Sequence, residues 1–123
     1  MDTAMIDIFK DIKTYHKALG YDYDEMLPNE RMEHVRINAL ALYQEVAELV
    51  DSVPWKPWRK MKDQTMDKEN AAKEIIDCIF FLGAISEILF ISPEELDRAF
   101  DDVIADNYDR IATGYNNKPE DRR

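Results

Sequence analysis

The chain has 123 residues, 46% hydrophobic and 34% charged, with a formal net charge of −10 and a pI near 4.6. That length fits one domain with a real core and is too apolar for a disordered acidic tail. The acidic balance disfavours nucleic acid and anionic lipid as partners, because both are bound by clustered Lys and Arg.

The one cysteine, Cys78, excludes an intrachain disulfide and suits a reducing, cytoplasmic setting. The N-terminal MDTAMIDIFKDIK alternates charged and apolar residues and shows no continuous apolar core of a signal peptide. Met5, Ile8, Phe9, Ile12, Tyr15 and Leu19 recur at helical spacing, with Gly20 as the C′ residue, and predict a first helix. Tyr21 to Asn29 is polar, holds Pro28 and reads as a loop.

A second helix is expected from about Glu30 to Val53, where Pro54 stops it. Its apolar stripe is Leu42, Val46, Leu49, Val50 and Val53. Pro54 to Gln64 is a loop rich in Trp, Pro and Lys, and loops of that length in small domains are often functional. The third helix, about Asp67 to Ile91, is apolar nearly all round after Ile75. It is interrupted by Asp77 and Glu87 and is short for a bilayer span, so it belongs at the centre of the core or in a subunit interface.

Ser92-Pro93-Glu94-Glu95 starts a fourth helix with an N-cap Ser, Pro at N1 and Glu at N3. Its stripe is Leu96, Phe100, Val103, Ile104 and Ile111, and Gly114 ends it. Residues 116–123 form a polar tail. With no strand alternation and no repeat, the expectation is an all-α single domain over 1–123, with its core in 30–115.

Two acidic pairs carry the chemistry. Glu45 and Glu48 stand three apart on helix two, and Glu74 and Asp77 three apart on helix three. Residues at i and i+3 share a helix face. Antiparallel packing of the two helices would let the four carboxylates converge. Asp77 sits among Ile75, Ile76, Cys78, Ile79, Phe80 and Phe81, where an uncompensated carboxylate is costly, so a cation is expected between the acids. All-oxygen ligation selects a hard cation, Mg²⁺ before Zn²⁺. Either pair alone fits a solvated helix face; the two together, one inside an apolar helix, favour a metal site.

Trp55-Lys56-Pro57-Trp58-Arg59-Lys60-Met61-Lys62 sets four basic residues in an acidic chain. It suits a polyanion with tryptophans stacking beside it, or equally rings that cap the core beneath solvated lysines. Asn107 falls on the helix-four stripe, where an amide needs partners, and Arg110 one turn on could grip a phosphate. A surface pair of Arg110 with Asp106 is the alternative. There is no Glu-x-x-His, P-loop, GxGxxG or nucleophile elbow. His16 and His34 lack metal-ligand spacing and read as surface or boundary residues, and Cys78 as an inert core thiol.

Glu45-x-x-Glu48, 25 intervening residues and Glu74-x-x-Asp77 resemble the ExxE…ExxD signature of the all-α nucleoside triphosphate pyrophosphatases. That superfamily includes MazG, the dimeric dUTPases, dCTP pyrophosphatases and phosphoribosyl-ATP pyrophosphatase. Ala39 to Leu49, then Trp58-Arg59-Lys60, then Asn107-Tyr108-Asp109-Arg110-Ile111-Ala112-Thr113-Gly114-Tyr115, look most like the dimeric dUTPase branch and its N-x-x-R…GY element. The likeness covers Ala39 to Tyr115. The compact size is closer to MazG and dCTP pyrophosphatase relatives, and Asp101, Asp102 and Asp106 stand where that branch has basic residues.

The resemblance implies an oligomeric four-to-five-helix bundle, at least a homodimer. It implies hydrolysis of a deoxynucleoside triphosphate, dUTP first, to the monophosphate and pyrophosphate. Glu45, Glu48, Glu74 and Asp77 would hold two or more Mg²⁺ per site, with Mn²⁺ a possible substitute. Glu48 and Glu74 are the catalytic carboxylates, Glu48 the candidate base. Lys56, Lys60 and Arg110 would bind phosphate, and Trp55, Trp58, Phe81, Asn107 and Tyr115 the nucleoside. The alternatives are a MazG-like house-cleaning hydrolase of dCTP or modified nucleotides, and a non-catalytic helical interaction module.

Overall fold

The computed structural model describes residues 4–114, and every described element is helical. The expected polar tail and Tyr115 lie outside the described residues. Helix α1 spans Ala4–Ala18. Gly20, at φ +96°, donates to the Lys17 carbonyl (2.9 Å) while Tyr21 N–H reaches back to the His16 carbonyl (3.2 Å). These paired bonds close a Schellman end, which needs a left-handed residue between them. They also fold Tyr21 and the single-turn helix Tyr23–Glu25 back towards α1.

Helix α2, Pro28–Asp51, starts two residues earlier than its apolar pattern predicts. Pro28 occupies the first turn, where its fixed φ suits a helix and its missing N–H costs nothing. The Glu30 carboxylate accepts from the Leu27 amide (3.1 Å). The helix ends at Asp51, two residues short of the expected Val53, with the C-cap Ser52 amide donating to the Leu49 carbonyl (3.0 Å).

Helix α3, Lys68–Ile88, is capped by Asp67, whose carboxylate accepts from Asn70 N–H (2.9 Å). It stops three residues short of the expected Ile91, because Phe90 turns the chain at φ +57°. Phe90 N–H bonds the Glu87 carbonyl and Ile91 N–H the Ser86 carbonyl, the same end geometry that Gly20 gives α1. Helix α4, Pro93–Ala112, starts as the sequence predicts: the Ser92 hydroxyl accepts from Glu95 N–H (3.1 Å) and the Glu95 carboxylate from Ser92 N–H (3.0 Å).

Helices α2 and α3 run antiparallel. At one end, buried Ser52 ties them together: its carbonyl accepts from Asp67 N–H (2.9 Å) and its hydroxyl from the Asn70 amide (2.7 Å). At the other end the Arg31 guanidinium lies 4.2 Å over the Phe90 ring. Helix α1 packs on α3, and the most deeply buried side chains, Ile12 and Ile88, lie at that contact with Ala84. Gly83 is required there, since a Cβ would stand 2.8 Å from Ile12 Cγ2. Helix α4 packs on α1, with a Lys10–Glu94 ion pair (3.4 Å) at its start. Its stripe residues Phe100, Val103, Ile104 and Ile111, and Asn107 among them, are exposed in the single chain.

No single helix among the described residues is long and apolar enough to cross a membrane; α3 and α4 pass that test only as a pair bent by 112°.

Candidate active site

The antiparallel pairing of α2 with α3 brings the acids together. One carboxylate oxygen each from Glu45, Glu48 and Glu74 lies within 4.8 Å of the other two. Glu45 and Glu74 are half-buried and Glu48 is exposed. Buried Oε2 atoms of both Glu45 and Glu74 have no hydrogen-bond partner among the described residues. An orphaned buried acceptor is a destabilising feature unless something positive fills the gap.

The cluster answers in the one way open to it without a cation: Glu45 is pushed up to about 8. The first cause is a hydrogen bond shared with Glu74, then one with Glu48, then desolvation and the charges of both neighbours. This is the behaviour of like charges that cannot all ionise together. The cluster is also compatible with a divalent cation, since oxygen donors at this spacing suit a hard ion. Cys78, just behind, has its thiol pushed up by burial and then by Glu45, Glu74 and Asp77, so it stays protonated and inert.

Asp77 is exposed and stands outside the three-oxygen group; it faces an adjoining cavity of about 820 Å³. Glu45 belongs to both the cluster and this cavity's wall. Helix α1 contributes Tyr15 and His16, and the turn after it Tyr21 and Tyr23. Helix α2 adds His34 and Asn38, and α3 adds Phe80 and Phe81. The Tyr21 and Tyr23 rings stack at 5.8 Å, with His34 edge-on to both. Tyr15 meets Phe80 edge-to-face at 5.4 Å. The Tyr23 phenol is pushed up to about 12 by burial, then by Glu87 and Tyr21, and remains a neutral donor. A cavity of this size with an aromatic wall and a few polar groups has the usual make-up of a small-molecule site.

His16 is buried, not a surface or boundary residue: its Nδ1 lies 2.8 Å from Glu87 Oε2, and both side chains are 11% exposed. The sequence reading passed over Tyr15, His16, Tyr21, Tyr23 and His34 as site residues. Their signal was a run of aromatic and imidazole side chains on either side of Gly20, in a stretch read as a helix end and a polar loop.

The basic loop is ordered by one side chain. Gln64 Oε1 accepts from the backbone N–H groups of Trp55 (3.1 Å) and Lys56 (3.0 Å), and its Nε2 donates to the carbonyls of Lys56 (3.0 Å) and Arg59 (3.4 Å). The Trp55 and Trp58 rings meet edge-to-face at 5.5 Å, and both are exposed rather than capping the core. Lys56 is half-buried and Lys60 exposed. The loop grows from the helix end that carries Glu48 and returns to the one that carries Glu74.

Of the expected site residues, the structure thus brings Glu45, Glu48 and Glu74 into one cluster. It sets Phe81 and Asp77 in the neighbouring cavity and leaves Trp55, Lys56, Trp58 and Lys60 on the loop. Asn107 and Arg110 ride on α4, outside both the cluster and the cavity wall.

The described residues thus form an all-helical fold that pairs two acidic helices beside an aromatic-walled cavity. The family model described as dUTPase matches residues 22–113, most of the chain, and the protein belongs to that family. No curated protein and no solved structure matches it. It is a dUTPase-like nucleotide pyrophosphatase in general type.

Proposed function

We propose that the protein is a Mg²⁺-dependent deoxynucleoside triphosphate pyrophosphohydrolase whose preferred substrate is dUTP, cleaving the α–β phosphoanhydride to give the monophosphate and pyrophosphate. The observation that carries this reading is the double place of Glu45, in the oxygen cluster and in the wall of the aromatic cavity. A ligand with phosphates at the cluster has its nucleoside in the cavity.

In this reading Glu45, Glu48 and Glu74 would hold the cations, and Asp77, one turn along α3 from Glu74, would extend the set for a second ion. When bound, the ions supply charge neutralisation at the phosphates and a lowered pKa for the attacking water. Glu48, the exposed member, would serve as general base toward the attacking water. Glu74 and Glu45 share the cluster, so each depends on the other for the cation set. Lys56 and Lys60, on the loop braced by Gln64, meet the phosphates with Arg110 from α4. Phe81 packs against the base, and Trp55, Trp58, Asn107 and Tyr115 complete the nucleoside contacts.

The chain also self-associates in this reading. The α2 residues Leu40, Tyr43 and Val50 form an exposed stripe, as do Val103, Ile104 and Ile111 on α4.

The test is pyrophosphate release from dUTP, dCTP, dTTP, dATP, dGTP and UTP, each with Mg²⁺ and with EDTA. The expected result is Mg²⁺-dependent release that is greatest from dUTP. A peak at dCTP, or release spread over several nucleotides, moves the protein to the house-cleaning branch. No release from any of them overturns the hydrolase reading.

A further inference from the structure

The aromatic cavity is walled in part by one member of a buried dyad that the proposed chemistry at the phosphates does not use. His16 is 8% exposed and lines the cavity with Tyr15, Tyr23 and Phe80. Its partner, Glu87, lies behind it: the carboxylate does not line this cavity but a separate, smaller one of about 190 Å³ beside Lys13 and Lys17. The pair links α1 to α3 across 71 residues of sequence. A plain core contact would be met by aliphatic side chains, of the kind that α1 and α3 bury at Ile12 and Ile88. Two ionisable groups at this depth need a reason, because burying them gives no more stability than a well-packed apolar pair.

The bond pattern suggests that reason. A carboxylate offers only acceptors, so the Nδ1 facing it must carry the hydrogen. Glu87 therefore fixes both the tautomer and the ring plane, and the edge of the Phe80 ring, 6.3 Å away at 88°, limits rotation. Nε2 is left as the one polar atom of the ring with no protein partner among the described residues. Uracil and cytosine have opposite donor and acceptor patterns at base positions 3 and 4. Uracil presents N–H then C=O, whereas cytosine presents a lone pair then NH₂. A histidine with a fixed tautomer pairs with one of them at a given position and not with the other. A histidine free to change tautomer accommodates either.

We infer that the His16–Glu87 dyad is the element that discriminates between uracil and cytosine, with His16 Nε2 touching the base edge and Glu87 acting as the positioning residue. This rests on the reading of the aromatic cavity as the nucleoside site. Sites that hydrogen-bond a substrate group reject analogues lacking it far better than apolar pockets do, because the site's own polar atom is then left unpaired.

The test joins a variant to a measurement that needs none. In Glu87→Gln, the amide can either accept from Nδ1–H or donate to Nδ1, so the tautomer is released while the packing volume is kept. The ratio of kcat/KM for dUTP to that for dCTP should narrow at least about tenfold. In ¹⁵N-histidine-labelled wild-type protein with Mg²⁺, dUMP should move the His16 Nε2 resonance and dCMP should move it differently. A structural staple would instead lower Tm and depress both substrates in parallel. An unchanged ratio, or calorimetric binding of dUMP with an unmoved His16 Nε2 signal, overturns the dyad's role and leaves the hydrolase reading standing. If neither nucleotide binds and neither triphosphate is hydrolysed, the hydrolase reading fails and the dyad's role fails with it.

Discussion

Three carboxylate oxygens within 4.8 Å of one another repel when all are ionised, and a proton or a cation among them relieves that repulsion. Glu45 holds its proton in the fold up to about 8, against an ordinary value of 4.5. Between those two values the folded chain binds a proton that the unfolded chain has lost, so stability falls as pH rises through that window. Thermal melting without divalent ion should therefore show Tm declining from pH 5 to pH 8, and Glu45→Gln should flatten the decline. Mg²⁺ should raise Tm, by mass action on the folded state, and more at pH 8 than at pH 5, because it displaces the proton. Glu74→Gln should lose turnover by at least about a hundredfold while helical circular dichroism is kept and the apo Tm rises, since one source of charge crowding is gone. Turnover unaffected in Glu74→Gln, or a Tm indifferent to Mg²⁺ at both pH values, would remove the cluster from the mechanism.

At the scale of elements, what positions the cluster is the hinge between α2 and α3, where Ser52 receives Asp67 and Asn70, and the loop that Gln64 holds shut. The Gln64 amide is satisfied on both sides, by two donors on its oxygen and two carbonyls on its nitrogen, an arrangement that neither Glu nor Ala can reproduce. Gln64→Ala should cost about 1–3 kcal/mol, allowing for backbone groups left unpaired, and should speed tryptic cleavage after Arg59 and Lys60. If the loop serves the phosphates, KM for dUTP rises with kcat little changed; equal KM in variant and wild type would leave the loop a structural connector.

The sequence discloses these elements unevenly. The paired acids are legible because helical period and spacing alone put Glu45 with Glu48, and Glu74 with Asp77, on shared faces. The start of α4 is legible from its cap chemistry. The end of α3 is not, because Phe90 adopts the left-handed turn that glycine ordinarily signals, helped by the Arg31 guanidinium over its ring. Gln64 gives no pattern at all, and the His16–Glu87 contact joins residues too far apart for any period to connect.

Over the whole molecule, apolar surface is poorly covered. The fully buried side chains concentrate between α1 and α3, while Leu40 and Tyr43 on α2 are 67% and 74% exposed and Ile111 on α4 is 61% exposed. Exposed apolar stripes on two helices of a small acidic chain are a liability unless another surface covers them. In the proposed reading a second copy covers them, and a standard interface buries about 800 Å² per partner. In the proposed reading association also bears on catalysis. Arg110 and Asn107 lie on α4, which packs on α1, so their proposed contacts with substrate are made more readily across an interface than within one chain. Light scattering at micromolar concentration should give twice the monomer mass. Tyr43→Glu should give the monomer with its helical signal intact, because the Tyr43 ring contributes little to its own chain's core. If active sites are completed across that interface, turnover per chain falls as wild-type protein is diluted through its dissociation constant, and Tyr43→Glu shows the low value at every concentration. A wild-type chain that stays monomeric, or a Tyr43→Glu monomer as active as the parent, would place the whole site within one chain and leave the exposed stripes without a role in catalysis.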